Sequence, residues 1–419
     1  MILGNGGREH ALAWKFARSN RITGLYCVPG NPGTAELATN LELDPNDFEA
    51  VTAAAKKHRI DIVFVGPEAP LAAGIIDHLT REGIAAIGPG AEPALLESSK
   101  TFAKAFMQRN AVPTARAETV RTNEQLDAFI ENNPGPVVVK MDGLAAGKGV
   151  GEFERAAEAA EFAREALQSG AVLLEEKLEG YEVSIFALMD PGGFKVLPPC
   201  ADYKKAGEKS TGPNTGGMGA ICPVPWVAPE MLETIQNDIV APSVTGLRTE
   251  GLAYTGVLYI GVMVTESGPK VLEYNVRFGD PETQVVLPML RADMLDICEA
   301  MLEGRISKTS VETDEVMSVG VVVASAGYPG PYERGIPIEI EPAHGTRTTP
   351  KSLDRLLFHA GTRQDGDLAL VTDGGRCFTC VCRDYDLIRA RAGAYSLARR
   401  IHFDGAWFRG DIASRVFGE

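Results

Sequence analysis

The sequence lacks the features of a membrane protein or a nucleic-acid-binding protein. No run of 18 apolar residues occurs in its 419 positions, so no transmembrane helix is expected. The N-terminus has no charged segment followed by an apolar stretch, so no signal peptide is visible. The net charge of −15 argues against a basic nucleic-acid-binding face, and Lys56–Arg59 is the only compact basic cluster. We therefore predict neither a nucleic-acid nor a membrane partner.

Cysteine is scarce, and its spacing does not complete a metal site. The chain has seven cysteines, of which Cys377, Cys380 and Cys382 form a C-x-x-C-x-C run. No second pair and no nearby histidine supply the four ligands of a structural zinc site. We expect these three residues to be buried thiols on a C-terminal strand. An odd number of scattered cysteines also favours the reducing cytoplasm.

The first hundred residues predict an α/β fold with a parallel sheet. Short apolar runs alternate with helical stretches, and three of the runs end in the Gly/Pro-rich turns Pro29–Gly33, Gly66–Glu68 and Gly88–Pro89. Ligands of such sheets bind at the carboxyl ends of the strands, where these turns lie. Because only three residues precede Gly4, the first strand is expected to be nearly absent.

Two glycine-rich loops are candidates for phosphate binding. Gly4–Glu9 departs from the dinucleotide fingerprint, since Glu9 stands where the third glycine belongs and no acid ends the next strand. Gly143–Gly149 departs from a P-loop, since three residues separate its glycines and no Ser or Thr follows Lys148. The first loop is interpreted as a phosphate cradle with Arg8 at a helix N-terminus, and the second as a lid. Ligand-free turns remain the alternative for both.

The segment Lys270–Glu282 is dense in polar residues after a predicted strand. Strand alternation places Glu273 and Asn275 on one face, where their oxygens suit Mg²⁺. Arg277 can pair with a carboxylate or stabilise a phosphate in transfer, and Asp280 and Glu282 can hold an amine. A polar strand end with local salt bridges explains the same composition equally well.

Five strings in one order resemble the glycinamide ribonucleotide synthetase family. They are Gly4–His10 (GNGGREH), Gly66–Leu71 (GPEAPL), Asp142–Val150 (DGLAAGKGV), Thr211–Ala220 (TGPNTGGMGA) and Arg277–Gln284 (RFGDPETQ). The resemblance extends over essentially the whole chain.

This resemblance implies an ATP-grasp fold and a ligase reaction. The expected domains are an N-terminal substrate domain (residues 1–97), an ATP-grasp domain (98–312) with a lid at about 114–186, and a C-terminal domain (313–419). ATP, glycine and 5-phosphoribosylamine would give glycinamide ribonucleotide, ADP and phosphate in de novo purine biosynthesis. The implied cofactors are ATP and Mg²⁺ or Mn²⁺, and the expected state is a monomer that binds small molecules only.

The resemblance also assigns residues to roles. The ATP site would comprise Lys100, Lys104, Lys140, Gly147, Lys148, the hinge strand Glu175, Glu176, Lys177 and Leu178, and Glu182 on the ribose. The metal ligands would be Glu273 and Asn275, and the catalytic residues Arg277, Asp280, Asp202 and Lys140. The phosphoribosyl group would face Asn5, Gly6, Gly7, Arg8, Glu9, Asn31 and Glu68. The remaining substrate contacts would come from Arg277, Asp280, Pro281 and Glu282 and from a closing loop with Asn214, Gly217, Met218 and Gly219.

One departure from the family and two other functions need to be weighed. Gly261 stands about where other ATP-grasp enzymes place another metal carboxylate, which puts more weight on Glu273. A carboxylating ATP-grasp enzyme is disfavoured by the strings GNGGREH and RFGDPETQ. A non-enzymatic nucleotide-binding regulator is disfavoured because Lys140, Glu273, Asn275 and Arg277 are all retained.

Overall fold

A computed structural model describes residues 1–143, 149–342, 354–366 and 369–414. Its first unit is a five-stranded parallel sheet in the order β3-β2-β1-β4-β5. The strands are β1 (Ile2–Gly4), β2 (Tyr26–Pro29), β3 (Thr39–Asn40), β4 (Ile62–Val65) and β5 (Ala85–Ile87). The parallel sheet is therefore confirmed. The first strand, expected to be nearly absent, is three residues long and occupies the centre of the sheet.

Six helices surround and follow this sheet. They are α1 (Gly7–Phe16), α2 (Phe48–Lys57), α3 (Glu68–Ala72), α4 (Ile75–Arg81), α5 (Leu95–Ser98) and α6 (Lys100–Arg109). The apolar spacing of residues 71–82 predicts a single helix. That prediction is wrong, since Gly74 adopts a left-handed φ of 90° between α3 and α4. The sequence also predicts a helix over residues 98–109. It begins instead at Lys100, because Ser99 has an extended backbone and its side chain caps α6.

A small antiparallel unit follows, with sheet order β6-β9-β7-β8. It packs two helices over an apolar cluster that includes Val120, Leu126 and Val139. Its elements are β6 (Ala117–Val120), α7 (Asn123–Asn132), β7 (Val137–Met141), β8 (Val150–Phe153), α8 (Ala156–Leu167) and β9 (Val172–Glu176). These residues lie within the range expected for the lid.

The central antiparallel sheet has the order β11-β10-β16-β17. Its strands are β10 (Tyr181–Asp190), β11 (Gly193–Val196), β16 (Gly256–Thr265) and β17 (Gly268–Asn275). The sequence predicts one strand pair from residues 182–189 and 195–197 and a hairpin from 255–265 and 270–275, and both are confirmed. Four short strands lie between the two halves of this sheet: β12 (Ala201–Asp202), β13 (Lys205–Gly207), β14 (Thr211–Asn214) and β15 (Gly219–Cys222). The helices are α9 (Pro229–Ile235), α10 (Ala241–Thr249), α11 (Glu282–Val286) and α12 (Met294–Leu302), with a π-helical turn joining α9 and α10.

The last sheet combines strands from two parts of the chain in the order β12-β15-β18-β23-β20. Its later strands are β18 (Met317–Ala324), β20 (Arg355–His359) and β23 (Arg376–Asp384). The other elements of this region are α13 (Leu387–Ala398) and two separate strand pairs, β19 (Glu339–Ile340) with β24 (Ile401–His402) and β21 (Thr362–Gln364) with β22 (Leu370–Thr372). Because β12 and β15 precede residue 223, the sheet physically ties the predicted ATP-grasp region to the C-terminal region. Cys377, Cys380 and Cys382 are buried on β23 as expected, and all seven cysteines are free.

No helix in the described part of the chain has both the length and the hydropathy needed to cross a bilayer.

Candidate active site

A large cavity lies where the parallel sheet, the small antiparallel unit and the central sheet meet. Its volume is about 1550 Å³, and its wall includes residues from the N-terminal glycine loop, α6, β17 and the C-terminal region. Most of the predicted site residues line it. Gly147 and Lys148, predicted to contact ATP phosphates, lie outside the described residues.

Three predicted lysines converge on one side of the cavity. Lys104 Nζ and Lys140 Nζ each lie 2.7 Å from a different oxygen of the Glu175 carboxylate. Lys140 Nζ also donates to Leu272 O at 2.9 Å, and Lys100 Nζ donates to Gly143 O at 2.7 Å. Burial lowers the pKa of both Lys100 and Lys104. This arrangement concentrates positive charge where phosphates would bind.

The predicted adenine-hinge residues have dissimilar surroundings. The Glu175 side chain is only 3% exposed and pairs with the two lysines, so it is not available to contact a base. Glu176 pairs with Arg116 at 2.8 Å, and Lys177 pairs with Glu154. Leu178 lines the cavity and offers an apolar surface.

The two predicted metal ligands project from the end of β17 into the cavity. Glu273 exposes 42% of its side chain there, and Asn275 Oδ1 lies 3.4 Å from Arg277 Nη2. Burial alone would raise the pKa of Glu273, but Lys204, Lys140 and Lys100 lower it below its ordinary value. Glu273 is therefore ionised at neutral pH, as a metal ligand must be. Within the described residues, no group of three or more His, Cys, Asp or Glu side chains could hold a metal ion alone.

Lys204, which sequence reasoning missed, lies among the acids of this region. Its Nζ contacts Glu182, the predicted ribose ligand, and lies 3.4 Å from Glu273 Oε1. Burial would lower the pKa of Lys204, but Glu182, Tyr259, Asp202 and Glu273 raise it well above its ordinary value. Lys204 therefore stays charged. The sequence offered one signal only, its position two residues after Asp202.

Arg277 connects the metal-ligand region to the N-terminal domain. Its Nη2 lies 2.7 Å from Glu97 Oε1, and its Nε lies 3.4 Å from Glu68 Oε2. Glu97 also accepts the backbone N–H of Val276 at 2.9 Å, which fixes the turn after β17. Burial would lower the pKa of Arg277, but Glu97 and Glu68 raise it. Glu97 was not predicted, because it lies in an unremarkable helical stretch.

Asp202, which is partly buried, and Glu282, which is 3% exposed, form an acidic pair beside Lys204. Burial, the largest cause, raises the pKa of both carboxyl groups, and Glu282 raises that of Asp202 further. Ser184 Oγ donates to Glu282 Oε1 at 3.2 Å and lies 3.2 Å from the Tyr259 hydroxyl. Asp202 Oδ1 is buried and has no hydrogen-bond donor among the described residues. The pair can therefore accept a cationic ligand.

Asp280 contacts residues from three parts of the chain, namely Arg8, Gln284 and Arg376. It accepts the backbone N–H of Arg8 at 3.1 Å and the Gln284 side chain at 3.0 Å, and Arg376 Nη1 lies 3.3 Å from it. Burial would raise its pKa, but Arg376 and Arg8 lower it, so Asp280 is ionised. Arg376, also missed by the sequence analysis, further donates to Gly217 O at 3.2 Å.

The N-terminal glycine loop is held together by hydrogen bonds to the carboxylate of Glu9. Glu9, only 2% exposed, accepts Gly6 N–H at 2.7 Å and Arg8 Nε–H at 2.6 Å. Arg8 Nη1 also donates to Phe278 O at 3.1 Å, so the protein holds two of its three guanidinium nitrogens. Asn5 and Gly6 line the cavity and remain able to meet a ligand through their exposed atoms.

The other predicted substrate residues lie at different depths. Asn214 and Glu68 line the cavity, whereas Gly7, Asn31, Pro281, Gly217, Met218 and Gly219 do not. The Asn31 side chain is used to join the backbone of Asn5 to that of His359. Met218 is fully buried, and Gly219 pairs with Val321 in the last sheet. These residues have structural roles behind the cavity surface, in strand pairing, core packing or hydrogen bonds between segments of the chain.

Comparison with known proteins decides the family. The phosphoribosylglycinamide synthetase N domain matches residues 1–97, the ATP-grasp (A) domain 98–283 and the C domain 318–415. The chain is 42% identical to the phosphoribosylamine–glycine ligase of Chlorobaculum tepidum over 427 residues, which cover 99% of each chain. The chain belongs to the phosphoribosylglycinamide synthetase family.

Two further relatives are consistent with the family. The crystal structure of the Thermotoga maritima phosphoribosylamine–glycine ligase has a TM-score of 0.82 and 35% identity, covering 98% of this chain and 99% of that one. The trifunctional purine biosynthetic protein adenosine-3 of Drosophila melanogaster is 43% identical over 433 residues. The match covers all of this chain but only 32% of the fly protein.

Membership of the phosphoribosylglycinamide synthetase family gives the reaction. The chain has the ATP-grasp fold and catalyses the ATP-dependent joining of glycine to 5-phosphoribosylamine in purine biosynthesis. ATP is used together with a divalent metal ion. The function and fold class inferred from the five sequence strings are therefore confirmed.

Proposed function

We propose that the cavity makes glycinamide ribonucleotide through glycyl phosphate and that each of its regions has one task. The main support for this proposal is that three sets of residues line a single cavity: the lysines Lys100, Lys104 and Lys140, the predicted metal ligands Glu273 and Asn275, and the acids Asp202 and Glu282. An acyl phosphate reacts with water, so making and consuming it in one enclosed space protects it.

The nucleotide would lie along the lysine side of the cavity. Lys100 and Lys140 would contact the phosphates, while Glu175 holds Lys104 and Lys140 in place beneath them. The backbone of residues 176–178 would bind the base, and Glu182 would accept hydrogen bonds from the ribose. Positioned ammonium groups lower the barrier to phosphoryl transfer because they stabilise charge that develops on the phosphate oxygens.

Glu273 and Asn275 would hold the divalent metal ion, which we propose to be Mg²⁺. One carboxylate and one amide are few ligands, which suits a Mg²⁺ that takes its other oxygens from phosphates and water. The ion would supply charge neutralisation at the phosphate groups. Arg277, held by Glu97 and Glu68, would place a fixed positive charge beside the reacting oxygens.

Glycine would bind by its ammonium group at Asp202 and Glu282. Asp202 offers a carboxyl oxygen without a hydrogen-bond donor, and Glu282 is a second acid beside it. A bound ammonium group would favour the ionised form of both, because a nearby cation lowers the pKa values that burial raises. The glycine carboxylate oxygen attacks the γ-phosphorus, and ADP leaves. The amine of phosphoribosylamine then attacks the carbonyl carbon, phosphate leaves with the oxygen that came from glycine, and the amine loses one proton. Asn5, Gly6, Asp280 and Asn214 would face the phosphoribosyl group.

Glu273→Ala tests the metal assignment, with Glu266→Gln as its matched control. Glu266 lies in the exposed turn of the same hairpin, away from the cavity. In steady-state assays we expect Glu273→Ala to raise the half-saturating Mg²⁺ concentration at least tenfold, about 1.4 kcal/mol of binding free energy, with Glu266→Gln unchanged. Equal Mg²⁺ dependence of Glu273→Ala and the parent protein would refute the assignment.

We further propose that the enzyme is a monomer in the cytoplasm. Every residue assigned a role here belongs to one chain, so a second copy is not needed to complete the site. Seven free, buried thiols suit a reducing compartment.

A further inference from the structure

Lys204 places its ammonium group beside Glu273, the proposed metal ligand. The backbone carbonyl of Lys204 accepts hydrogen bonds from Thr215 N at 2.7 Å and Thr215 Oγ1 at 2.8 Å, which fixes the start of its side chain. The ammonium group contacts Glu182 and lies 3.4 Å from Glu273 Oε1. The side chain is 28% exposed, so it faces the cavity rather than the protein core.

The two carboxylates reach Lys204 from strands that flank β16. Glu182 lies on β10 and pairs with Met263, whereas Glu273 lies on β17 and pairs with Gly261. Gly261 contributes no side chain between them, and a Cβ there would lie 3.3 Å from Glu273 Cγ. The ammonium of Lys204 is thus the cation that this part of the sheet holds in the free protein.

A divalent ion at Glu273 must therefore compete with an ammonium group already present. Bringing a dication beside a monocation is unfavourable, and moving Lys204 away breaks its contact with two acids. Nucleotide phosphates change this balance, because their negative charges can bind both the divalent ion and the Lys204 ammonium group. Ribose hydroxyls that donate to Glu182 would also weaken its hold on Lys204.

We infer that Lys204 is an internal competing cation that makes metal binding at Glu273 depend on the nucleotide. The inference rests on the proposed metal site. In the free protein, Lys204 neutralises Glu182 and Glu273. When metal and nucleotide arrive together, Lys204 moves from Glu273 toward the phosphates. The ligase thereby avoids holding a metal ion that has no nucleotide to act on, and Lys204 is a positioning residue with a role before catalysis.

Mn²⁺ titration of the full chain without nucleotide, followed by electron paramagnetic resonance, tests this inference. Lys204→Met should bind Mn²⁺ about tenfold more tightly than the parent, the size expected for a monocation and a dication about 5 Å apart in water. Lys204→Arg should retain weak binding because it keeps the charge. Lys205→Met removes the neighbouring charge, which pairs with Glu152, and should change Mn²⁺ affinity less than twofold.

The outcomes separate this inference from the metal assignment. Unchanged or weaker Mn²⁺ binding by folded Lys204→Met would overturn the role of Lys204, and Lys204→Gln provides the same test if the methionine variant does not fold. Glu273→Ala and the double variant Glu273→Ala/Lys204→Met belong in the same series. If Lys204→Met binds Mn²⁺ more tightly and adding Glu273→Ala abolishes that gain, both statements hold. If the gain persists without Glu273, the metal assignment itself fails.

Discussion

Two buried histidines at the junction of α1 and β20 should make stability fall steeply in mild acid. His10 and His359 are 6% and 9% exposed, and His359 N–H donates to His10 Nδ1 at 2.8 Å. Burial, reinforced by His359, lowers the pKa of His10 from 6.5 to about 3, and burial lowers that of His359 to about 4. Both are neutral in the folded state. The unfolded chain binds protons first as pH falls below 6.5, so stability is present above that pH and is lost below it.

The size of the effect follows from these values. Between pH 7 and pH 5 each histidine should cost about 2 kcal/mol of unfolding free energy, or about 4 kcal/mol together. Urea unfolding followed by tryptophan fluorescence would measure it, since the Trp14 ring lies 6.1 Å from that of Phe358 at this junction. Removing one histidine should remove about half of this pH dependence.

Comparison of variants isolates the histidines from the carboxylates that also titrate. His10→Gln and His359→Gln should each flatten the dependence of unfolding free energy on pH between 5 and 6.5. His402→Gln is the matched control, because His402 is half exposed on the surface strand β24. An identical slope for the parent and both buried-site variants would refute the reasoning.

The remaining predictions concern the cavity and the thiols. Arg277→Lys should lower kcat/KM about a hundredfold or more, since one ammonium cannot hold both Glu97 and Glu68; a loss below threefold in phosphate release would contradict this. Glu175→Gln should reduce the unfolding free energy by about 3–5 kcal/mol because Lys104 and Lys140 lose their buried partner; an unchanged urea midpoint would contradict it. An aromatic disulfide reagent should react with all seven thiols in denaturant but only slowly in the native protein. Fewer than seven reactive thiols per denatured chain would show that not all seven cysteines are free.

Local patterns were sufficient to predict most of the elements that position the site. Residues 255–265 and 270–275 were predicted to form a hairpin, as β16 and β17 do, and the glycine turns marked the strand ends that face the cavity. Gly74 was not recognised as a break, since the apolar spacing of α3 and α4 continues across it. The edge strand β20 was also missed, because its short sequence gains its partner only from β23, some twenty residues later.

The side-chain network of the site was less predictable than its backbone. Lys140 and Glu273 were predicted to line one site, and both line the cavity. Lys140 pairs with Glu175, and Glu273 lies beside Lys204; the two members of each pair are far apart in sequence. Asn31 had been assigned to the substrate, yet its amide joins two domains. Periodicity and motifs report local geometry, whereas such pairings follow from tertiary contacts.

The fate of the glycine carboxylate oxygens tests the chemistry proposed for the cavity most directly. Glycine labelled with ¹⁸O in its carboxylate, turned over with ATP and 5-phosphoribosylamine, should transfer one labelled oxygen to each phosphate released, as mass spectrometry would show. Glycinamide ribonucleotide should retain the other labelled oxygen in its amide. Phosphate without the label would contradict the formation of glycyl phosphate between the lysines and the Asp202–Glu282 pair.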